Sequence, residues 1–342
     1  MVKRALITGI TGQDGAYLAR YLLDKDYLVY GVHRRNSSPN LWRLEYLNLT
    51  DRVKLIAAEL TDSSAIFDII KTSQPDEIYH LASPSFVGSS FEHPVSSAEV
   101  TGLSVTRILE AIRCLNKKIK FYQASTIEMY GKGDSKPLTE ETAFQPANPY
   151  AVAKLYGYWI TSIYREGYGI FGCSGILFNH ESPLRGLEFV TRKISNAVAR
   201  ISLGLDDKLI LGNMDARRDW GYAPDFIEAM WLMLQKEKPD DYVIATGETH
   251  TVKEFVQKAF SVAGLDWTKY VKTDPKLQRQ ADLNYLQGDN SKARSGLGWQ
   301  PKVKFNQLVE LMVKEDITRW QRWQNEERFP WDIPVYRLPG KK

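Results

Sequence analysis

A chain of 342 residues, 43% hydrophobic and 25% charged, has the make-up of a soluble globular protein, and its length predicts one large α/β unit or a main domain with a smaller appendage. The net charge of +4 without a long Lys/Arg block argues against nucleic acid as a partner and suits small phosphorylated ligands. Two cysteines, Cys114 and Cys173, are too few for a disulfide framework or a zinc site; no apolar run is long enough for a membrane span, and Met1-Val2-Lys3-Arg4 shows no signal-peptide pattern, which reads as cytoplasmic.

The chain opens on the apolar run Ala5-Leu6-Ile7-Thr8, then Gly9-Ile10-Thr11-Gly12-Gln13-Asp14-Gly15, then Tyr17-Leu18-Ala19-Arg20-Tyr21-Leu22-Leu23 at helical spacing. This order predicts a strand, a glycine turn and a helix, with Gly9, Gly12 and Gly15 clearing room for backbone N–H groups to approach a pyrophosphate. A second strand over 27–32 ends in His33-Arg34-Arg35 with no acid. An acidic side chain there takes the ribose 2′-hydroxyl of NAD, whereas arginines accept a 2′-phosphate, so Arg34 and Arg35 argue for NADP over the alternative of a solvated basic turn.

A third strand is predicted over 53–58, with Asp62 as N-cap of the helix after it. The fourth, over 76–82, leaves the sheet at Ser83-Pro84-Ser85, and a helix over 94–115 leads to the fifth, Lys120-Phe121-Tyr122-Gln123-Ala124. That strand delivers Ser125-Thr126-Ile127-Glu128 to the carboxyl edge of the sheet, where ligands bind in open α/β folds. The alternation predicts a parallel sheet with right-handed crossovers. After a loop over 129–148, a helix over 149–168 places Tyr150 and Lys154 one turn apart on one face. Here the ammonium is expected to favour the phenolate and draw a pKa that starts near about 10 toward neutrality, which suits removal of a proton from a sugar hydroxyl. The spacing by itself also fits a plain surface pair. A sixth strand over 172–177 precedes a polar loop over 178–186, a helix over 190–203 and a short strand over 208–213; these later pieces predict an appended lobe. From residue 251 the pattern reads as helices around a polar segment at 274–290, an amphipathic helix over 305–323 and an aromatic tail.

Gly9, Gly12 and Gly15 together with Thr126, Tyr150 and Lys154 resemble the extended short-chain dehydrogenase/reductase superfamily, and Glu128 resembles the acid of its nucleotide-sugar 4,6-dehydratases. Longer runs are similar to the GDP-mannose 4,6-dehydratase family over about residues 3–320, among them Phe178-Asn179-His180-Glu181-Ser182-Pro183, Phe189-Val190-Thr191-Arg192-Lys193 and Arg218-Asp219-Trp220-Gly221. The resemblance implies an α/β fold: a Rossmann-type doubly wound parallel sheet over 1–177 that binds NADP, with 208–248 partly contributing, and a smaller, mostly C-terminal α/β lobe over 178–342 that binds the GDP-sugar.

It also implies a redox-neutral elimination in which NADP is used and regenerated within one cycle. Tyr150, held as phenolate by Lys154, takes the proton of the sugar 4-hydroxyl; Thr126 steadies the same oxygen; Glu128 removes the proton on carbon 5 and helps expel the 6-hydroxyl as water, giving a 4-keto-6-deoxy sugar. The cofactor contacts carried over are Gly9, Gly12, Gln13, Asp14, Gly15, Arg34, Arg35, Glu59, Leu60, Leu81, Ala82, Ser83, Tyr150 and Lys154. For the substrate they are Ser85, Thr126, Glu128, Asn179, Arg185, Val190, Lys193, Arg218, Arg279 and Asp282, a set whose guanidiniums suit a diphosphate and whose carboxylate suits ribose hydroxyls. No metal is implied, His180 is given no role, and the family is typically a homo-oligomer, dimer or tetramer.

Three runs depart from the family pattern: Leu81-Ala82-Ser83-Pro84-Ser85, Ser125-Thr126-Ile127-Glu128 and Arg279-Gln280-Ala281-Asp282. They leave another GDP-sugar, such as a GDP-manno-heptose, as an alternative substrate, because pocket changes of this kind shift specificity by a few kcal/mol. A GDP-sugar 4-epimerase or reductase runs on Thr, Tyr and Lys without an acid at 128, and a non-catalytic NADP or nucleotide-sugar sensor has no need of all four groups.

Overall fold

The computed structural model describes residues 2–37, 40–131, 137–277, 285–327 and 329–331. Its centre is a seven-stranded parallel sheet of β1 (Arg4–Thr8), β2 (Leu28–His33), β3 (Lys54–Ala57), β4 (Glu77–His80), β5 (Lys120–Thr126), β6 (Gly172–Leu177) and β7 (Tyr242–Ile244). They lie in the order β7-β6-β5-β4-β1-β2-β3, so the chain reverses direction across the sheet between β1 and β4. Both faces are covered, and the period-two alternation of each strand sorts its side chains. Ala5 and Ile7 enter one core with α1 (Gln13–Leu23) and a later helix, Ala223–Gln235. Leu6, Ile78 and Phe121 enter the opposite one with α2 (Ser63–Ser73) and α3 (Ser104–Leu115). Asp62 does cap α2, accepting from the amides of Ser64 and Ala65.

The helix expected over 94–115 is a helical run with a wider turn inside it. Residues Ala98–Leu103 are π-helical, and this turn brings Gly102 against the backbone of Ala153 in α4 (Pro149–Tyr168). A Cβ at Gly102 would sit in ordinary van der Waals contact with that helix, 3.4 Å from the Ala153 carbonyl. The polar loop expected over 178–186 also holds a strand: Asn179–Glu181 pairs in parallel with Trp220–Tyr222. Its partner lies some forty positions on, so local alternation alone gave no cue.

A second core sits beyond this strand pair. There α5 (Val190–Ser202), Val252–Val262 and Phe305–Gln324 pack around Trp220, Phe255 and Met312. Trp331 of the aromatic tail seats edge-on against Trp320 at 4.8 Å, whereas Tyr336 lies outside the described residues. No helix among the described residues is long and apolar enough to cross a membrane.

One ion cluster is sealed inside this second body. Asp316 is fully buried; it binds Arg192 through two nitrogens at 2.8 and 2.9 Å and accepts from Ser195 at 2.6 Å, with Arg319 a further 3.5 Å away. Buried charges of this kind persist only when matched. Asp316→Asn leaves the buried Arg192 short of its counter-charge, with Arg319 still paired to Glu315 at 3.2 Å, and is expected to cost about 3 kcal/mol. Urea unfolding checks it: the midpoint falls while the slope stays unchanged.

Candidate active site

The first βα turn is built for close backbone approach. Gly9 sits at φ +73°, a conformation that favours glycine, and a Cβ on it would lie 2.8 Å from the backbone of Ala82. A Cβ on Gly15 would meet the Gly9 carbonyl at 2.4 Å. Gly12 is the N-cap of α1 and gives it no side-chain bond, so the free first-turn amides and the positive end of the helix are available to an anion. This cradle fits a dinucleotide pyrophosphate.

The turn opens into a cleft of about 840 Å³ that runs along the carboxyl edge of the sheet. Its walls carry Gly9, Gly12, Gln13, Asp14, Gly15, Arg34, Glu59, Leu60, Leu81, Ala82 and Ser83 from the expected cofactor set. Arg35 is exposed and lies outside these walls, so only one of the two arginines after β2 reaches the cleft. Arg34 stands 3.8 Å from Glu59, both side chains about half exposed, and that separation gives a weak pair.

At the centre, β5 ends in Thr126, whose hydroxyl accepts from the Glu128 amide at 3.3 Å and caps a 3-10 turn over Ile127–Tyr130. Glu128 in turn accepts from Asn148 Nδ2 at 3.0 Å. Asn148 is also the N-cap of α4, its Oδ1 accepting from the Ala151 amide at 2.8 Å. One amide therefore joins the carboxylate to the helix that carries Tyr150 and Lys154. The sequence signal for this was an Asn before a Pro at a helix start, which predicts a cap but not its second bond.

Lys154 is buried, and its Nζ donates to the Ala124 carbonyl at 2.7 Å, with the Tyr150 ring centroid 5.7 Å away. Burial pushes this ammonium down to about 8, with Asp14 acting the other way. The expectation that Tyr150 is drawn toward neutrality is not met in this structure. Burial of the phenol, then the negative charge of Glu128, raises it well above its ordinary value, and the Thr126 hydroxyl offsets only part of this. The lysine lies under the phenol but spends its short bond on a carbonyl of β5.

Beneath this group a buried chain runs from Thr8 Oγ1 through His80, with 2.8 Å to Nδ1 and 3.0 Å from Nε2 to Ser104. Burial, with Lys154 nearby, pushes His80 down to about 3, so the ring is neutral. Thr8 Oγ1 also accepts from the amides of Leu81 and Ala82 at 3.2 Å, which fixes that wall of the cleft. The sequence offered no cue to this, because its members come from three separate elements.

The far wall is formed by Ser85, Asn179, Arg185, Val190, Lys193 and Arg218 of the expected substrate set, with Thr126 and Glu128 between the halves. Arg279 and Asp282 lie outside the described residues. Arg185 lies over the Phe189 ring at 3.6 Å and 3.2 Å from Glu181, which also accepts from Thr191. Burial lowers the Lys193 ammonium. Pro84 edges the cleft beside Ser85, and Ile127 is buried among core residues at its margin. His180, given no role by the sequence, is buried and bonds Asp14 at 2.8 Å. Burial opposes charge on both, yet their attraction raises His180 and holds Asp14 at about 2. Arg43, Glu188, Phe189 and Asn213 also line the cleft without having been singled out.

The sequence model of the GDP-mannose 4,6 dehydratase family matches residues 6–312. GDP-mannose 4,6 dehydratase 2 of Arabidopsis thaliana is 50% identical over 325 residues, covering 92% of this chain and 87% of the relative. The human GDP-mannose 4,6 dehydratase is 47% identical over 338 residues, covering 92% and 91%. Among solved structures, the Thermus thermophilus UDP-glucose 4-epimerase in complex with NAD superimposes with a TM-score of 0.80 at 26% identity, over 92% of this chain and 98% of that one. With the family's match spanning every residue of the cleft wall, the chain belongs to the GDP-mannose 4,6 dehydratase family.

Proposed function

We propose that the chain converts GDP-mannose to GDP-4-keto-6-deoxymannose by eliminating water, with NADP as its redox cofactor. The observation that carries this reading is the carboxylate of Glu128, tied through Asn148 to the helix of Tyr150 and Lys154 and lining the same cleft. Arg34 in the cleft wall, with no acid at the end of β2, supports NADP over NAD. The residues along the glycine turn would hold the pyrophosphate, with Glu59, Leu60, Leu81, Ala82 and Ser83 along the rest of the cofactor. Its contribution is a reversible two-electron couple that oxidises carbon 4 of the sugar and afterwards reduces carbon 6.

The chain's own residues manage the protons. Tyr150 takes the proton of the 4-hydroxyl, and Thr126 bonds the same oxygen. The burial that raises the Tyr150 phenol makes it a strong base once ionised; the Thr126 hydroxyl and the Arg185 charge act in the other direction, and the Lys154 ammonium lies 5.7 Å from the ring. With carbon 4 a ketone, the proton on carbon 5 is acidic; Glu128 removes it and delivers it to the departing 6-hydroxyl, which leaves as water, and carbon 5 takes a proton back from solvent as carbon 6 is reduced while Tyr150 releases the one it took. Asn148 holds the carboxylate for both tasks. Asn179, Arg185 and Arg218 suit the diphosphate, Val190 and Lys193 the base, and Ser85 the sugar. A homo-oligomer, dimer or tetramer, is supported by Val152, Tyr156, Trp159 and Ile163, an apolar stripe on one side of α4 whose members are each at least 40% exposed.

Incubation with GDP-mannose and mass analysis tests the reading. The expected product has lost one water with no net change in NADP, and Glu128→Gln is expected to lower dehydration by about a hundredfold or more. An unchanged mass points to epimerisation, and no turnover with any GDP-sugar overturns the enzyme reading.

The buried ammonium has a separate consequence for stability. Lys154 protonates at about 8 in the folded chain against 10.5 when free, so its charge costs the fold a constant amount below 8, relieved as pH rises from 8 toward 10.5. Lys154→Met is expected to abolish turnover yet raise stability by about 2 kcal/mol at neutral pH. Thermal unfolding across that range checks the sign: the advantage of the variant narrows above pH 8.

A further inference from the structure

Three successive carbonyls of the segment that leads into the cleft wall at Arg185 each accept from a different arginine. Arg319 donates to Pro183 at 2.6 Å, Arg43 Nε to Leu184 at 2.8 Å, and Arg192 to Arg185 at 2.8 Å. A surface loop ordinarily satisfies such carbonyls with water. Here guanidiniums from three separate elements replace it, and the Arg185 side chain that follows faces the cleft.

Two of the three belong to the sealed cluster around Asp316 and are fully buried. Arg43 differs. It extends from the short helix Trp42–Tyr46, lies against the Trp42 ring at 4.4 Å, and is itself part of the cleft wall. While its Nε holds Leu184, a second nitrogen reaches the Thr11 carbonyl at 3.3 Å, inside the glycine turn. One rigid planar group therefore touches the backbone of both halves of the cleft.

We propose that Arg43 is a positioning residue that couples the two subsites: ordering of the glycine turn by one ligand is passed through its guanidinium to the loop that presents Arg185 to the other. The inference rests on the reading of the glycine turn as the cofactor site and of the Arg185 loop as the nucleotide-sugar site. A flexible lysine has no fixed fork and cannot hold two carbonyls at a set separation, so the coupling depends on the guanidinium rather than on charge. Gln13 makes a parallel tie, accepting from Ser182 at 2.7 Å and donating to the His180 carbonyl at 3.1 Å. Loss of Arg43 therefore weakens the coupling while the loop remains anchored.

The coupling is reciprocal and is read as a ratio of affinities. Calorimetric titration of the full chain with GDP, alone and with saturating NADP, is expected to give about a fivefold or greater gain in GDP affinity for the wild type. In Arg43→Met and Arg43→Lys the gain is expected to fall to about twofold or less. The lysine variant keeps the charge and serves if the methionine variant folds poorly. A merely structural role lowers stability, or lowers GDP affinity equally with and without NADP, and leaves the ratio where it was. A wild-type ratio of one, or a wild-type ratio retained in both variants, overturns the coupling. Failure of the wild type to bind GDP or NADP at all overturns the functional reading itself, and the coupling with it.

Discussion

A buried ammonium has to be paired, and the way Lys154 meets that constraint sets the geometry of the cleft. Its 2.7 Å bond to the Ala124 carbonyl pins α4 across the end of β5. Tyr150 then rises over the same strand end that carries Thr126, and Asn148 at the head of the helix meets Glu128. Tyr150 with Lys154 and the carboxylate of Glu128, the groups proposed for the redox step and for the loss of water, are thus held by a single helix start and a single strand end. The cost is an ammonium pushed well below its ordinary range in a site that needs its charge.

The second constraint is that the two cores must share one cleft, and polar bonds fasten them there. Asp14 with His180 and Gln13 with Ser182 tie the first turn of α1 to the strand Asn179–Glu181, and Trp220–Tyr222 pairs with that strand. The arginines behind the Arg185 loop extend the fastening to the C-terminal helix Phe305–Gln324, in a cluster sealed by Asp316. Polar bonds of defined direction fix an orientation that apolar packing leaves looser, which suits a wall that must present side chains to a charged ligand.

What was legible in the sequence was what local pattern encodes. Gly9, Gly12 and Gly15 between an apolar run and a helical one announce the glycine turn, and the alternation of strands and helices announces the parallel sheet. Thr126 and Glu128 sit within three positions of each other, Tyr150 and Lys154 one turn apart, so their grouping is written in short spacings. Long-range pairing was not readable. The short strand at Asn179, the bond between Asp14 and His180, and the reach of Arg43 each join positions far apart in the chain. The upward push on the Tyr150 phenol was not readable for the same reason, because burial and the Glu128 charge come from outside its own helix. Arg35 shows the limit of reading by neighbourhood: it adjoins Arg34 yet stays outside the cleft wall.

In the proposed reaction, oxidation at carbon 4 and loss of water at carbon 6 belong to one closed cycle within this cleft, and isotope transfer separates that from the alternatives. GDP-mannose deuterated at carbon 4, turned over in ordinary water, is predicted to give a 4-keto product with the deuterium on carbon 6 of the same sugar and solvent hydrogen on carbon 5. Deuterium released to the medium, or retained at carbon 4 of an unchanged or epimerised sugar, would contradict it.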